Sequence, residues 1–204
     1  DGKLSRGLGD VYKRQVTDGY YASDGSQTYV SSGAVAEEAC ADGSFNADGS
    51  GDCDDVQAGY FGNTGGAHVS SGATAETACA EGKYSTNGTG ACQTVTDGYY
   101  ASNGSQTYVS SGAVAEEACA DGSFNADGSG DCVDVQNGYF GNTGGAHVNS
   151  GATAETACPD GSYNANGTGA CDDVQNGYFG NTGGAHVNLS LIHISEPTRQ
   201  LDIS

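Results

Sequence analysis

Tryptophan and methionine are absent from this chain of 204 residues, and proline occurs only twice. Between Val16 and Asn188 the sequence also lacks leucine, isoleucine and arginine, and Lys83 is the only lysine. A core of large aliphatic side chains is therefore excluded, because only valine, tyrosine and phenylalanine remain as sizeable apolar residues. Units of about 40 residues with such a composition usually need disulfides or metal ions for stability.

Positive charge is also scarce. The chain has 6 Lys and Arg residues against 26 Asp and Glu residues, which gives a formal net charge of -20 at pH 7. Such a surface repels phosphate backbones and anionic lipids, so we expect neither a nucleic acid nor an anionic membrane surface as a partner. The charge is compatible with simple solubility, with cation binding, or with a salty medium that screens self-repulsion.

The two ends differ from the middle. Ser5–Gln15 (SRGLGDVYKRQ) resembles a translated transposase-type sequencing adapter, and Leu189–Arg199 (LSLIHISEPTR) resembles the translated reverse complement. We therefore expect residues 1–15 and 189–204 to be adapter-derived and the middle to be an internal piece of a longer protein. The alternative is that LSLIHI is a native apolar strand.

A tandem repeat fills the middle. The segment that begins at Val16 recurs at Val95 with one change, Asp24 to Asn103, and a second segment that begins at Asp55 recurs twice, the last time incompletely. We number the repeats in chain order and call the two kinds type 1 and type 2. Type 1 repeats occupy 16–53 (repeat 1) and 93–132 (repeat 3), type 2 repeats occupy 54–92 (repeat 2) and 133–171 (repeat 4), and a partial type 2 repeat occupies 172–188.

Cysteine spacing indicates one disulfide in each complete repeat. The pairs, always 13 residues apart, are Cys40 and Cys53, Cys79 and Cys92, Cys119 and Cys132, and Cys158 and Cys171. Between pairs the interval varies by one residue, because the turn region YYASNGSQTYV of type 1 is one residue longer than YFGNTGGAHV of type 2. This favours bonding within pairs, although spacing alone leaves a Cys53–Cys79 linkage open. Closing such a loop contributes roughly 3 kcal/mol in the chain-entropy model.

Turn residues predict an all-β fold. Asn103-Gly104 between YYAS and QTYV predicts one β-hairpin in each repeat, and DGSF or GKYS followed by Asp-Gly or Asn-Gly predicts a second hairpin between the paired cysteines. AVAEEACA is compatible with one helical turn. The expected architecture is a series of tandem disulfide-stapled β-hairpin repeats that form an elongated stalk, in which neighbouring repeats cover each other's small apolar faces.

The run CADGSFNADGSGDCDDVQAGYF resembles the ephrin-receptor-like cysteine-rich repeat and tandem repeats of microbial surface proteins. The positions that carry the resemblance in the first repeat are Cys40, Gly43, Phe45, Cys53, Gly59 and Tyr60. The chain departs from that family at one position, where valine replaces the second cysteine of C-x-x-C; these valines are Val56, Val95, Val135 and Val174. The resemblance implies an extracellular stalk or spacer, sometimes ligand-binding, without catalytic residues.

The loop between the paired cysteines of type 1 repeats resembles a calcium loop, because oxygen-bearing side chains alternate there and glycine is sixth. The candidate ligands are Asn46, Asp48, Ser50, Asp52 and Asp54, and in repeat 3 Asn125, Asp127, Ser129 and Asp131. Gln57 stands where a bidentate glutamate is expected, and type 2 repeats lack most of these acids. We therefore predict no required cofactor and calcium as a candidate ion, the alternative being a polar turn with solvated acids.

Sequons and a recurring histidine are the other candidate functional features of the repeats. The sequons at Asn87, Asn103 and Asn166 predict glycosylation, although the preference of Asn-Gly for turns explains them equally well. A histidine recurs once in each type 2 repeat, in GGAHV, at the position of a tyrosine in type 1, and we expect it to pack against a strand. A lone histidine and cysteines 13 apart do not provide the ligand set of a zinc site.

These observations predict a structural function. Every Ser, Cys and His belongs to a repeated framework, which is typical of architecture and not of a single active site, so we predict that the protein is not an enzyme. We expect an extracellular or cell-surface structural or adhesive stalk whose partners are neighbouring repeats, surface glycans or other surface proteins. The alternatives are a calcium- or glycan-binding module, or the spacer of a larger secreted enzyme.

Overall fold

The computed structural model describes residues 16–181 and 186–188. All regular structure in these residues consists of short β-strands, two to five residues long, which confirms the all-β prediction. The strands are β1 Tyr20–Ser23, β2 Ala36–Ala39, β3 Ser44–Phe45, β4 Asp54–Asp55, β5 Tyr60–Thr64, β6 Ala67–His68, β7 Ala75–Ala78, β8 Lys83–Tyr84, β9 Gln93–Thr94, β10 Tyr99–Ser102, β11 Ala115–Ala118, β12 Ser123–Phe124, β13 Val133–Asp134, β14 Tyr139–Thr143, β15 Ala146–His147, β16 Ala154–Ala157, β17 Ser162–Tyr163, β18 Asp172–Asp173, β19 Tyr178–Gly180 and β20 His186–Asn188.

Each complete repeat begins with a small antiparallel sheet. In repeat 1 β1 pairs with β2, and in repeat 2 β5 pairs in the same way with β7 and also with the short strand β6. The connection from β5 to β6 is the two-residue turn Gly65-Gly66, with φ angles of 68° and 91°. Both turn residues need positive φ for the twist of a hairpin, and only glycine adopts it without strain.

The corresponding turn of type 1 is one residue longer and forms less of a hairpin. Around Asn103-Gly104 the two arms meet at one isolated bridge, Ser102 to Tyr108, and the non-glycine residue Gln106 takes a positive φ of 56°. The YYAS segment pairs instead with the AEEA strand. The predicted hairpin is therefore present at this turn only as a bridge, because the longer loop separates the arms.

One local prediction was wrong. AVAEEACA contains no helical turn; Ala36–Ala39 is strand β2, with Glu38 opposite Tyr21 and Ala36 opposite Ser23. A segment of four or five good helix formers is too short to be helical without tertiary support, and here the partner strand provides the backbone hydrogen bonds.

The second predicted hairpin is present, but only its first strand lies between the paired cysteines. β3 of repeat 1 pairs with β4, which follows Cys53 at the start of repeat 2, in the register Ser44 to Asp55 and Phe45 to Asp54. Cys40 directly follows β2 and Cys53 directly precedes β4, so their disulfide joins the first sheet to this hairpin. Equivalent hairpins are β8–β9, β12–β13 and β17–β18.

The buried residues are small. Cys40, Cys79 and Cys119 are completely buried, and Val56, Val95 and Val135 are nearly so, Val95 with 2% of its surface exposed. Buried asparagines complete the interior: the Asn63 Nδ2 donates to Thr77 Oγ1 at 2.8 Å, and its Oδ1 accepts from the Gly66 amide at 2.9 Å. A polar group that makes such bonds avoids most of the cost of burial.

The chain divides into two compact units. Of the described residues, the first unit contains 16–96, 100–117 and 128–130, and the second contains 97–99, 118–127, 131–181 and 186–188. Within the first unit repeat 2 meets repeat 3 by backbone contacts: the Gly112 amide donates to Cys79 O at 2.8 Å, the Ser85 amide donates to Ala113 O at 3.0 Å, and Tyr84 forms a parallel bridge with Ala113.

The second compact unit contains the same arrangement between repeats 3 and 4. There the Gly151 amide donates to Cys119 O at 2.8 Å and the Asn125 amide donates to Ala152 O at 3.0 Å. A glycine is required at the point of closest approach, because a Cβ on Gly98 would overlap the carbonyl group of Gly151. At this point the repeats meet backbone to backbone, with no room for a side chain on Gly98.

A comparison of repeats 1 and 3 isolates what a preceding repeat contributes, because the two sequences differ only at Asp24 and Asn103. Ala113 is 0% exposed in repeat 3, where it contacts the hairpin of repeat 2, whereas Ala34 at the same position of repeat 1 is exposed. Val35, next in sequence, is 76% exposed, whereas Val114 is half-buried.

This pair provides a matched test of the junction. Ala113→Leu is expected to destabilise the protein by about 1–3 kcal/mol, the usual effect of overpacking a filled site. Ala34→Leu makes the same chemical change in an almost identical repeat and is expected to stay within about 0.5 kcal/mol of the wild type. Urea unfolding followed by circular dichroism measures both, and equal effects of the two substitutions would contradict this account of the junction.

Candidate functional site

Every cysteine of the chain is paired. The disulfides are Cys40–Cys53, Cys79–Cys92, Cys119–Cys132 and Cys158–Cys171, each with a sequence separation of 13 and a Cα–Cα distance of 5.7 to 5.8 Å. These distances lie at the centre of the range for relaxed disulfides. The linkage that spacing alone left open, Cys53 to Cys79, does not occur.

The loop of repeat 1 that resembles a calcium loop is organised by its own amides. Asp48 Oδ1 accepts from the Ser50 amide at 2.8 Å, and Asp52 Oδ1 accepts from the Cys53 amide at 2.8 Å. Asn46 is buried, with its Nδ2 directed at the carbonyl groups of the loop, and its Oδ1 accepts from the Asp48 amide at 3.3 Å. Asp54 is exposed on β4.

The corresponding loop of repeat 3 makes equivalent hydrogen bonds. Asn125 Oδ1 accepts from the Asp127 amide at 3.2 Å, Asp131 Oδ1 accepts from the Cys132 amide at 2.8 Å, and Ser129 is exposed. Across the described residues, no three side chains of His, Cys, Asp or Glu are grouped so that they could hold a metal ion. Calcium binding by these loops stays a prediction.

The three sequons lie on exposed turns. Asn87, Asn103 and Asn166 are all exposed, and each Oδ1 accepts a hydrogen bond from the amide two residues later, at 3.1, 2.9 and 3.1 Å. These are Asx turns, which asparagine favours for its own side-chain geometry. Glycosylation also stays a prediction.

An acid that sequence reasoning missed joins repeats 1 and 2. Asp42, two residues after Cys40, places its Oδ1 3.2 Å from the Nε2 of His68, and the same oxygen accepts from the Gly90 amide at 3.0 Å. His68 lies on β6 and its ring is tilted by 55° against the ring of Phe61, with the centroids 6.4 Å apart. The histidine packs against a strand as predicted, and it also receives an acid from the preceding repeat.

The second compact unit has an equivalent cluster. Asp121 Oδ1 lies 3.2 Å from His147 Nε2, and the Gly169 amide donates to both oxygens of Asp121 at 3.0 Å. The pairs Asp42–His68 and Asp121–His147 share a separation of 26 residues. That repeated interval was the sequence signal for these contacts. The third histidine, His186, has only its backbone described.

The environment of the two aspartates changes their acidity. Burial raises the pKa of Asp42, but the hydrogen bond from the Gly90 amide and the neighbouring His68 lower it by more, so the pKa lies below its usual value of 3.8. Asp121 is lowered for the same reasons, with Gly169 and His147 as the donors. Hydrogen bonds to the ionised form favour that form, and the contact is therefore strongest when the acid is ionised.

Neither a protein-family model nor a curated protein matches this chain. The described residues include no helix capable of crossing a membrane. The regular disulfides and the small all-β units define the chain as a tandem cysteine-rich repeat protein. Disulfides of this number are stable in oxidising environments, which indicates an extracellular or secreted protein.

Reduction is expected to unfold the repeats. Each disulfide closes a loop of similar length, and its loss is expected to cost about 2–5 kcal/mol, close to the whole stability of a small unit. The native chain should show no reactive thiol before reduction, and peptide mapping should link Cys40 to Cys53. The double substitution Cys79→Ser and Cys92→Ser removes a single disulfide and should lower the melting temperature, whereas unchanged melting would show that the disulfide is dispensable.

Stability is also expected to depend on the ionisation of Asp42 and Asp121. Because their pKa values are lowered in the folded state, their contribution is present above pH 3.8 and is lost as the pH falls through the lowered values. At pH 6 Asp121→Asn should therefore lower the melting temperature by roughly 2–4 °C, as for a loss of about 1 kcal/mol in a chain of this size.

The difference between wild type and Asp121→Asn should shrink as the pH falls through the lowered pKa of Asp121, because the wild-type carboxyl then becomes neutral as well. Asp18→Asn, at an exposed acid near the start of repeat 1, is the control and should melt like the wild type at each pH. A difference for Asp121→Asn that persisted after the wild-type carboxyl is protonated would show that the charge of Asp121 is not the cause of the effect.

Proposed function

We propose that the chain is the structural or adhesive stalk of a secreted or cell-surface protein, and that its repeats act as spacers. The observation that supports this most directly is the repeated junction: in each compact unit a half-cystine carbonyl accepts from a glycine amide of the next repeat, as in Gly112 N–H to Cys79 O. A contact that is repeated at each junction allows further repeats to be added to an array, whereas a protein usually has few ligand-binding sites.

Polar groups that could carry out chemistry are engaged in holding repeats together. Both described histidine side chains, His68 and His147, contact an aspartate of the preceding repeat. Cysteines form disulfides, and the buried asparagines bond to backbone groups within their own repeats. We therefore propose that the array has no catalytic role of its own and needs no cofactor.

The resemblance to ephrin-receptor-like repeats fits this proposal in a simplified form. Val56, Val95 and Val135 occupy the position of the family's second cysteine and are buried, with 5%, 2% and 5% of their surface exposed. Burying a valine contributes on the order of 1.5–3 kcal/mol, which is comparable with a short disulfide loop. Apolar packing thus takes the place of the second disulfide at this position.

A spacer has a length that depends on its number of repeats, and this tests the proposal. Deleting residues 54–132 removes repeats 2 and 3 and joins repeat 1 to repeat 4, which preserves the succession of type 1 and type 2. The maximum dimension from small-angle scattering of residues 16–188 should then fall roughly in proportion to the repeats removed. A fall of only about a fifth, as expected when a compact domain is halved in mass, would contradict a spacer.

Adhesion and calcium binding need a separate measurement. Particles coated with the chain should bind a glycan array or cells, whereas particles coated with the reduced chain should not. If the loops of type 1 bind calcium, adding calcium should raise the melting temperature, and Asp48→Asn with Asp52→Asn should remove the contribution of repeat 1 to that rise. If they do not bind it, calcium should leave the melting temperature unchanged.

A further inference from the structure

The contact between an acid of one repeat and a ring of the next occurs in two chemical forms. Between repeats 1 and 2, and again between repeats 3 and 4, an aspartate meets a histidine at 3.2 Å. Between repeats 2 and 3 the pair is different: Tyr108 Oη donates to Glu81 Oε1 at 2.5 Å. Glu81 and Asp42 occupy the same position, two residues after the first cysteine of their repeats.

The choice of acid could depend either on the type of its own repeat or on the ring of the following repeat. The boundary between repeat 4 and the partial repeat distinguishes these two explanations. If the acid belonged to the repeat type, repeat 4 would carry glutamate, as the other complete type 2 repeat does at Glu81. It carries Asp160, and the partial repeat that follows it is again type 2, with His186 at the ring position. Whether the acid is aspartate or glutamate therefore correlates with the ring of the succeeding repeat and not with the type of its own repeat.

The lengths of the side chains explain why aspartate is paired with histidine and glutamate with tyrosine. Glutamate is longer than aspartate by one methylene, and tyrosine carries its hydroxyl further from the backbone than histidine carries Nε2, so the Glu–Tyr pair spans a longer separation. The tyrosine stands in the turn that is one residue longer than the histidine turn. A mixed pair would be too short or too long for its junction, and the contact between the acid and the ring would be lost.

The acid also contacts a second part of the following repeat. Asp42 accepts from the Gly90 amide in the loop between the paired cysteines of repeat 2, and a Cβ on Gly130 at the same position of repeat 3 would lie 4.0 Å from Glu81 Oε1. One carboxylate thus lies at both elements that the next repeat presents, its first turn and its cysteine loop.

We propose that the acid two residues after the first cysteine is a specificity determinant that selects the following repeat: aspartate selects a repeat with histidine in a short turn, and glutamate selects a repeat with tyrosine in a long turn. The partner of this surface is another repeat of the same kind. This selection goes beyond the spacer role and is independent of whether the array binds glycans, calcium or cells.

Exchange of both partners in the full chain tests the proposal. Asp42→Glu and replacement of the short turn TGGAH at residues 64–68 by the longer turn NGSQTY of repeat 3 are made singly and together. Hydrogen exchange of the Gly72 amide, which donates to Cys40 O across the same junction, reports its opening. Each single variant should lower the protection of Gly72 by about tenfold, and the double variant should recover most of it, as expected for coupled neighbours. The Gly151 amide reports the unaltered junction between repeats 3 and 4 and should not change.

The reverse exchange applies the same test to the junction between repeats 2 and 3. Glu81→Asp and replacement of residues 103–108 (NGSQTY) by the shorter turn TGGAH should each reduce protection of the Gly112 amide, and their combination should restore it. If either double variant is no better protected than the worse of its single variants, the acid and the ring act independently and the proposal is overturned. Loss of protection at Gly151 as well would indicate global unfolding. The cycle is then repeated with the milder pair Asp42→Asn and His68→Gln. Protection of Gly72 in this double variant must again exceed that in the worse single variant.

Discussion

The first half-cystine of each repeat makes the connections on which the other parts of the structure depend. The sulfur of Cys79 bonds to Cys92, its amide donates to Gly59 O at 2.8 Å, and its carbonyl accepts from the Gly112 amide of the next repeat at 2.8 Å. One buried residue therefore joins the first sheet, the second hairpin and the neighbouring repeat. In a chain without leucine or isoleucine between Val16 and Asn188, this covalent and hydrogen-bonded centre replaces an aliphatic core.

The unusual composition follows from this arrangement. Because repeats approach through their backbones, a Cβ on Gly59 would overlap the carbonyl group of Gly112, and the neighbouring Ala113 is completely buried. Inside each repeat, asparagine is small enough to be buried and still satisfies the turn amides around it. The acidic residues remain mainly at the surface, where they favour solubility, and a few of them also lie at junctions.

Much of this fold could be predicted from local sequence rules. Cysteine spacing and turn chemistry identified the disulfide-stapled repeats and a hairpin at each disulfide, because both depend on residues close together in the chain. The second strand of that hairpin, however, follows the second cysteine and does not precede it. The strand Ala36–Ala39 was missed, since its alanines and glutamates favour helix and only the partner strand β1 changes the outcome. The contact of Asp42 with His68 was missed for a related reason: it lies between repeats, and a pattern within one repeat contains no information about it.

Contacts between neighbours also determine how stability is distributed. Ala34 and Val35 are exposed in repeat 1, whereas in repeat 3 Ala113 is covered by the hairpin of repeat 2 and Val114 is half-buried. A repeat that lacks a predecessor therefore buries less apolar surface than an otherwise identical repeat that has one, and it is expected to open first. Since each repeat depends mainly on its neighbours, a change in repeat number leaves the remaining junctions intact, provided that the acid of one repeat still meets the ring that fits it. Near-identical repeats can then be gained or lost without a new core having to form.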